Sequence, residues 1–153
     1  MTTLLALLLS CAPAVDPGTM TALVMVESGA NPWVISVNGG QLARQPRNLP
    51  EAIATAENLL RIGMNFDAGI GQINSANFKR YGLTPDNVFD PCTNLNVASR
   101  LLKTCYDAGP GRVVQARVQA ALSCYNTGNF TRGFQNGYVQ RVMAAAGRWT
   151  VPH

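Results

Sequence analysis

Eight carboxylates are the main chemical resource of this 153-residue chain, because its single histidine is the last residue, His153. Without an internal histidine, a Ser/His/Asp or Cys/His nucleophile has no base. The four cysteines, at positions 11, 92, 105 and 124, contain no Cys-x-x-Cys pair, so no zinc-binding pattern is present. The chemistry on offer is therefore that of carboxyl, hydroxyl and amide groups, with no metal or cofactor implied. Six of the acids have structural readings. Asp16, Glu51 and Asp86 stand at predicted helix starts, Glu57 at the edge of an apolar helix face, and Asp90 and Asp107 in turns or at helix ends.

Glu27 differs in kind. It closes the apolar run Leu23-Val24-Met25-Val26 and is followed by Ser28, Gly29 and, at 32, a proline. In the last turn of an apolar helix, partial burial and the negative end of the helix dipole both oppose ionisation. A carboxylic acid kept protonated is the group needed to expel an alcohol from a glycosidic bond. The position alone is equally compatible with a Glu that curls into solvent past Gly29. Asp67 is the one candidate for a second working carboxylate; it is read as a turn residue, with orientation of a water as the lesser alternative.

The elements that must hold these groups are mostly helices. Hydrophobic residues make up 47% of the chain and charged ones 13%, without repeats or charge runs, which fits one globular domain over residues 1–153 with a core of about 10–147. Asp16-Pro17 starts a buried helix over about 17–28, and Gly29 and Pro32 stop it. Residues 33–45 read as a hairpin turning at Asn38-Gly39-Gly40. Apolar residues at helical spacing mark further helices from Leu49 to about Leu60, around 93–107, over about 112–126, and from Tyr138 to Ala146. The expected fold is mainly α, with a small β-hairpin beside a substrate cleft. The opening "MTTLLALLLSCAPA" is compatible with a buried first helix or with a targeting segment. No run approaches a membrane span. The net charge of +4 mildly favours an anionic partner, but the basic residues are scattered and lack the aromatic interleaving of a nucleic-acid surface.

Three sequence blocks then stand out in order: Glu27-Ser28, Gly69-Ile70-Gly71-Gln72-Ile73-Asn74 and Tyr125-Asn126-Thr127-Gly128. Together they resemble the Glu-Ser, Gly-x-x-Gln and Tyr-Asn-x-Gly blocks of the soluble lytic transglycosylase family, whose catalytic domain is goose-lysozyme-like. The flanking "NPWVISVNGG", "LARQP" and "FDPCTNL" resemble the branch of that family attached to type IV secretion and conjugation machines. The likeness spans roughly 10–143, and it favours reading the N-terminal run as part of the domain. "GIGQIN" is not a phosphate loop, since the third glycine and the βαβ setting are missing.

The resemblance implies a periplasmic, monomeric enzyme with Glu27 as acid, acting on peptidoglycan strands and associated with type IV secretion components. Ser28, Gln72, Asn74, Tyr125 and Asn126 would contact the sugar or the acid, with the Tyr125 helix end facing the acid across the cleft. It also implies that no second carboxylate is needed, because the sugar's own C6 hydroxyl attacks C1 and leaves a 1,6-anhydro product. A hydrolytic muramidase on the same fold, or a wall-binding module without activity, carries the same blocks.

A periplasmic setting would oxidise the cysteines. On one helix, Cys92 and Cys105 would stand roughly 18–20 Å apart at ~1.5 Å per residue, too far to bridge. An antiparallel return of the next helix would bring Cys124 level with Cys92, so Cys92–Cys124 is the expected bond. Cys11–Cys92 is the alternative.

Overall fold

A computed structural model describes residues 3–149; His153 lies outside them. The described chain contains seven α-helices and a three-stranded antiparallel sheet. The chain falls into two compact units, one formed by the residues up to Val26 together with those from Ser99 onward, the other by Glu27–Ala98.

The first unit is all helical. It holds α1 (Leu4–Cys11), most of α2 (Pro17–Ser28), the second half of α4 (Pro91–Ala108), α5 (Val114–Thr127), the single turn α6 (Arg132–Gln135) and α7 (Tyr138–Trp149). α1 is amphipathic rather than buried: Leu8 is covered while Leu5 and Leu9 are 54% and 58% exposed. α2 begins as its sequence dictates. The Asp16 carboxylate accepts the Thr19 backbone N–H at 2.9 Å and Pro17 needs no donor. The same Asp-Pro-x-Thr cap recurs at Asp90-Pro91-Cys92-Thr93, where the Asp90 carboxylate takes the Thr93 N–H at 2.9 Å to start α4. Met20, Ala22, Leu23 and Val24 of α2 are fully buried, as the apolar run predicts.

The disulfide expectation is overturned. Cys124 bonds Cys105, not Cys92, across a Cα–Cα distance of 5.8 Å, and none of the described cysteines is free. The error lies in the assumed antiparallel hairpin of α4 and α5. α5 packs chiefly on α6 and α7, and it meets α4 at Cys105 and Tyr106 in that helix's last turn. There the Arg117 guanidinium stacks 4.4 Å from the Tyr106 ring and donates to the Tyr106 carbonyl at 2.8 Å, while Cys105 reaches Cys124. Cys105 is therefore level with Cys124 on α5, and not with the start of that helix as the antiparallel hairpin requires. The bond closes a loop with a sequence separation of 19. Replacing Cys105 and Cys124 together by alanine should cost about 2–4 kcal/mol. Denaturant titration of oxidised and doubly substituted protein measures this directly.

The second unit carries α3 (Leu49–Arg61) and the sheet. Asn48 caps α3 by accepting the Glu51 N–H at 3.0 Å. The Glu51 carboxyl is pulled down to about 2, chiefly by the Arg47 backbone N–H it accepts and then by the Arg47 side chain, which fits its structural reading. The sheet comprises β1 (Ile35–Val37), β2 (Phe66–Ala68) and β3 (Ile73–Asn74) in that order. The expected hairpin over 33–45 is thus half right. β1 exists, but it pairs with β2, some thirty residues on. The segment that was to be its partner returns only as far as Gln45, whose side-chain amide donates to the Ile35 carbonyl at 2.8 Å and accepts the Ile35 N–H at 2.9 Å. One glutamine thus stands in for a strand and closes the outer edge of β1. Ile35, Ala68 and Ile73 form one inward row in register, fully or nearly fully buried, and Phe66 stacks edge-on to Phe78 at 5.6 Å.

Candidate active site

Glu27 is half-buried in the last turn of α2, one residue before the helix ends. The chain leaves through two left-handed residues, Gly29 and Ala30, at φ 62° and 64°. Ala30 is not a glycine, so neighbouring contacts must hold this exit. Ser28 supplies one: its hydroxyl donates to the Ile70 carbonyl at 2.7 Å. That bond fastens the acid-bearing end of α2 to the turn between β2 and β3. Two sequence blocks some forty residues apart, Glu27-Ser28 and Gly69–Asn74, therefore form one local structure.

The turn itself is heavily determined. Gly69 donates to the Val34 carbonyl at 2.9 Å and Gln72 donates back to the Gly69 carbonyl at 3.0 Å. Gln72 adopts φ 55°, a conformation an L-residue enters only against a cost of about 1–2 kcal/mol. Its own side chain offsets that cost. The Gln72 amide donates to Val34 and Gly69 carbonyls at 2.8 and 2.9 Å and accepts the Ser36 hydroxyl at 2.8 Å. With 7% of its surface exposed and both N–H groups engaged, Gln72 shapes the turn from within, rather than presenting a free amide to a sugar. Asn74 is spent similarly. It donates to Asn65 at 2.9 Å and Asp67 at 2.8 Å, and accepts from Asn65 and from the Ala76 N–H, each at 3.0 Å.

Glycine is required at 69 by the packing around it. At φ +84° an added Cβ would stand 2.2 Å from the Asn94 amide nitrogen and 2.9 Å from the Val88 carbonyl. Asn94 is wholly buried. It accepts the Gly71 N–H at 2.8 Å and donates to the Ala68 and Val88 carbonyls at 3.0 and 2.8 Å. No sequence block pointed to it, since a lone Asn in a helix looks like a surface residue.

Asp67 is also corrected: it is not in a turn but is the middle residue of β2, between Ser36 of β1 and Asn74 of β3 in register. This row faces away from the Ile35, Ala68 and Ile73 core. Burial pushes the Asp67 carboxyl above its ordinary value, opposed by the Asn74 hydrogen bond.

Tyr125 and Asn126 belong to the first unit, in the last turn of α5, which Gly128 ends at φ 74°. Tyr125 is half-buried; Asn126 is exposed and accepts the Asn136 amide at 2.9 Å. Behind them Ser123, fully buried, accepts the Gly133 N–H at 2.7 Å and donates to the Asn129 carbonyl at 2.6 Å, holding α6 against α5.

A helical scaffold with a small antiparallel sheet, and an acid at the end of a buried helix latched to a Gly-x-x-Gln turn, define a class, and family comparison agrees. Residues 7–146 match the transglycosylase SLT domain; the chain belongs to that family and is a lytic transglycosylase of lysozyme-like fold. Among particular relatives, it is 47% identical over 161 residues to the type IV secretion system protein VirB1 of Brucella abortus strain 2308, a match covering 99% of this chain and 67% of that protein. The Brucella suis biovar 1 protein of the same name gives the same identity and coverage. Protein VirB1 of Agrobacterium fabrum is 40% identical over 143 residues, covering 93% of this chain and 58% of the relative. The chain thus spans about two thirds or less of the length of these relatives. No solved structure matches it significantly.

Proposed function

We propose that this chain cleaves the β-1,4 bond between N-acetylmuramic acid and N-acetylglucosamine in peptidoglycan without water, and that it does so in the periplasm for a type IV secretion or conjugation apparatus. Glu27 protonates the glycosidic oxygen; the C1–O bond breaks with its electron pair passing to the departing N-acetylglucosamine. The Glu27 carboxylate then takes the proton of the C6 hydroxyl as O6 bonds to C1, giving the 1,6-anhydro sugar and restoring the acid. Tyr125 and Asn126 contribute sugar contacts, and the protein acts as a monomer. The observation that carries this reading is the Ser28–Ile70 bond, because it fastens the helix end that bears Glu27 against the turn built by Gln72. The names of the Brucella relatives support the secretion assignment. In the described residues no helix is long and apolar enough to cross a membrane.

Mass spectrometry of muropeptides released from sacculi tests the chemistry. The expected muramyl ends are lighter by one water than those of a hydrolase. Reducing ends alone would replace this reading by that of a muramidase, and no release at all would leave a wall-binding module.

A further inference from the structure

The open face of the sheet carries a row of polar side chains, Ser36, Asp67 and Asn74, directly opposite one another on the three strands. Asn65 extends the row through its paired amide bonds with Asn74, and Asn38 donates to Asn65. Every amide in this row has partners within it. Asp67 is only half engaged: Oδ1 accepts the Asn74 amide at 2.8 Å, while among the described residues Oδ2 receives no hydrogen bond and no Lys or Arg forms an ion pair with the carboxylate.

A half-buried anion with a single neutral donor is a poor structural device. If the position served only to hold Asn74, an uncharged acceptor would do so without the desolvation cost. Groups that cost stability where they stand and leave an acceptor unused are characteristic of sites that meet a ligand. The location agrees. Asp67 lies three residues before Ile70, which latches the Glu27 turn, and its cross-strand neighbour Ser36 bonds Gln72.

We propose that Asp67 is a second working carboxylate of the site, presenting its free Oδ2 to a sugar hydroxyl of the glycan strand and facing, as an anion, the positive charge that develops at the reacting sugar. This rests on the glycan-cleaving reading above and departs from the expectation that Glu27 acts alone. Glycosidases commonly pair an acid with a second carboxylate, and here that second group sits on the sheet.

The test compares Asp67→Asn with wild type and Glu27→Gln, using soluble glycan strands as substrate and thermal melts of each protein. Asparagine keeps the shape and an acceptor oxygen and removes the charge. Asp67→Asn should therefore melt no lower than wild type, because it sheds the burial cost of the anion, while kcat falls roughly 100-fold, as for other groups that face transition-state charge, and KM changes little. A variant within about threefold of wild-type kcat overturns the proposal, that margin being under 1 kcal/mol of barrier. So does one that loses activity and several degrees of melting temperature together, since that marks a structural role. Wild type and Glu27→Gln separate the two readings: active wild type, dead Glu27→Gln and fully active Asp67→Asn would sink only the role of Asp67, whereas inert wild type would sink both.

Discussion

Glu27→Gln should abolish release of muropeptides, lowering the rate by at least about 100-fold, while the protein melts close to wild type. Gln has nearly the shape of Glu and lacks only the transferable proton, and a positioned general acid is worth about 10²–10⁴ in rate. The end of α2 is held by the Ser28 hydroxyl on Ile70 and by the Asn31 N–H on the Ser28 carbonyl, and the apolar burial of the helix lies at Met20 to Val24. Release of soluble muropeptides from sacculi, followed by chromatography, gives the rate; a circular dichroism melt gives the fold. Retention of a tenth of the wild-type rate would remove Glu27 from the role of acid.

The part of this site that could be read in the chain is the part whose physics is local. An Asp-Pro cap, four apolar residues and a Gly-x-x-Pro exit specify where α2 starts, which way it is buried and that a carboxylate closes it. The strands could not be read so. β2 and β3 have three and two residues, too few for alternation to register, and β1 finds its partner some thirty residues away. The turn signal at Asn38-Gly39-Gly40 was real enough to suggest a hairpin, but the side chain of Gln45 occupies the edge that a strand would have taken. Asp67 reads as a turn residue for the same reason, since "NFDAGIGQIN" looks like a loop when its strand is three residues long. The cysteine pairing is a tertiary matter: where α4 and α5 meet decides it, and nothing in the spacing of 105 and 124 reports that. The Gly-x-x-Gln block marks Gln72 as a residue to watch, but its left-handed backbone is invisible until the turn is built.

That turn gives the second large effect, the loss of stability in Gly69→Ala. Two costs add. An alanine at φ +84° carries a backbone strain of about 1–2 kcal/mol, and its methyl would overlap groups that have little room to retreat, worth about 1–3 kcal/mol more. The Val88 carbonyl, 2.9 Å from the added carbon, is backbone. The Asn94 amide, at 2.2 Å, is the buried clamp that satisfies Gly71, Ala68 and Val88, so moving it breaks bonds in a place where water cannot replace them. Gly69→Ala should therefore cost about 2–5 kcal/mol in a denaturant titration. Asn94→Ala, which orphans the same three backbone groups, should cost a comparable amount. The double variant discriminates the mechanism. If the methyl acts by expelling the Asn94 side chain, most of the loss attributed to Asn94 is already present in Gly69→Ala, and the pair should fall well short of additivity, by about 1–2 kcal/mol. Full additivity would mean that the strain at Gly69 and the clamp at Asn94 are independent. Because Ile70, the acceptor for Ser28, lies between Gly69 and Gly71 in this turn, loosening it should also lower activity in whatever fraction stays folded, as the acid-bearing helix end loses the contact that aims it.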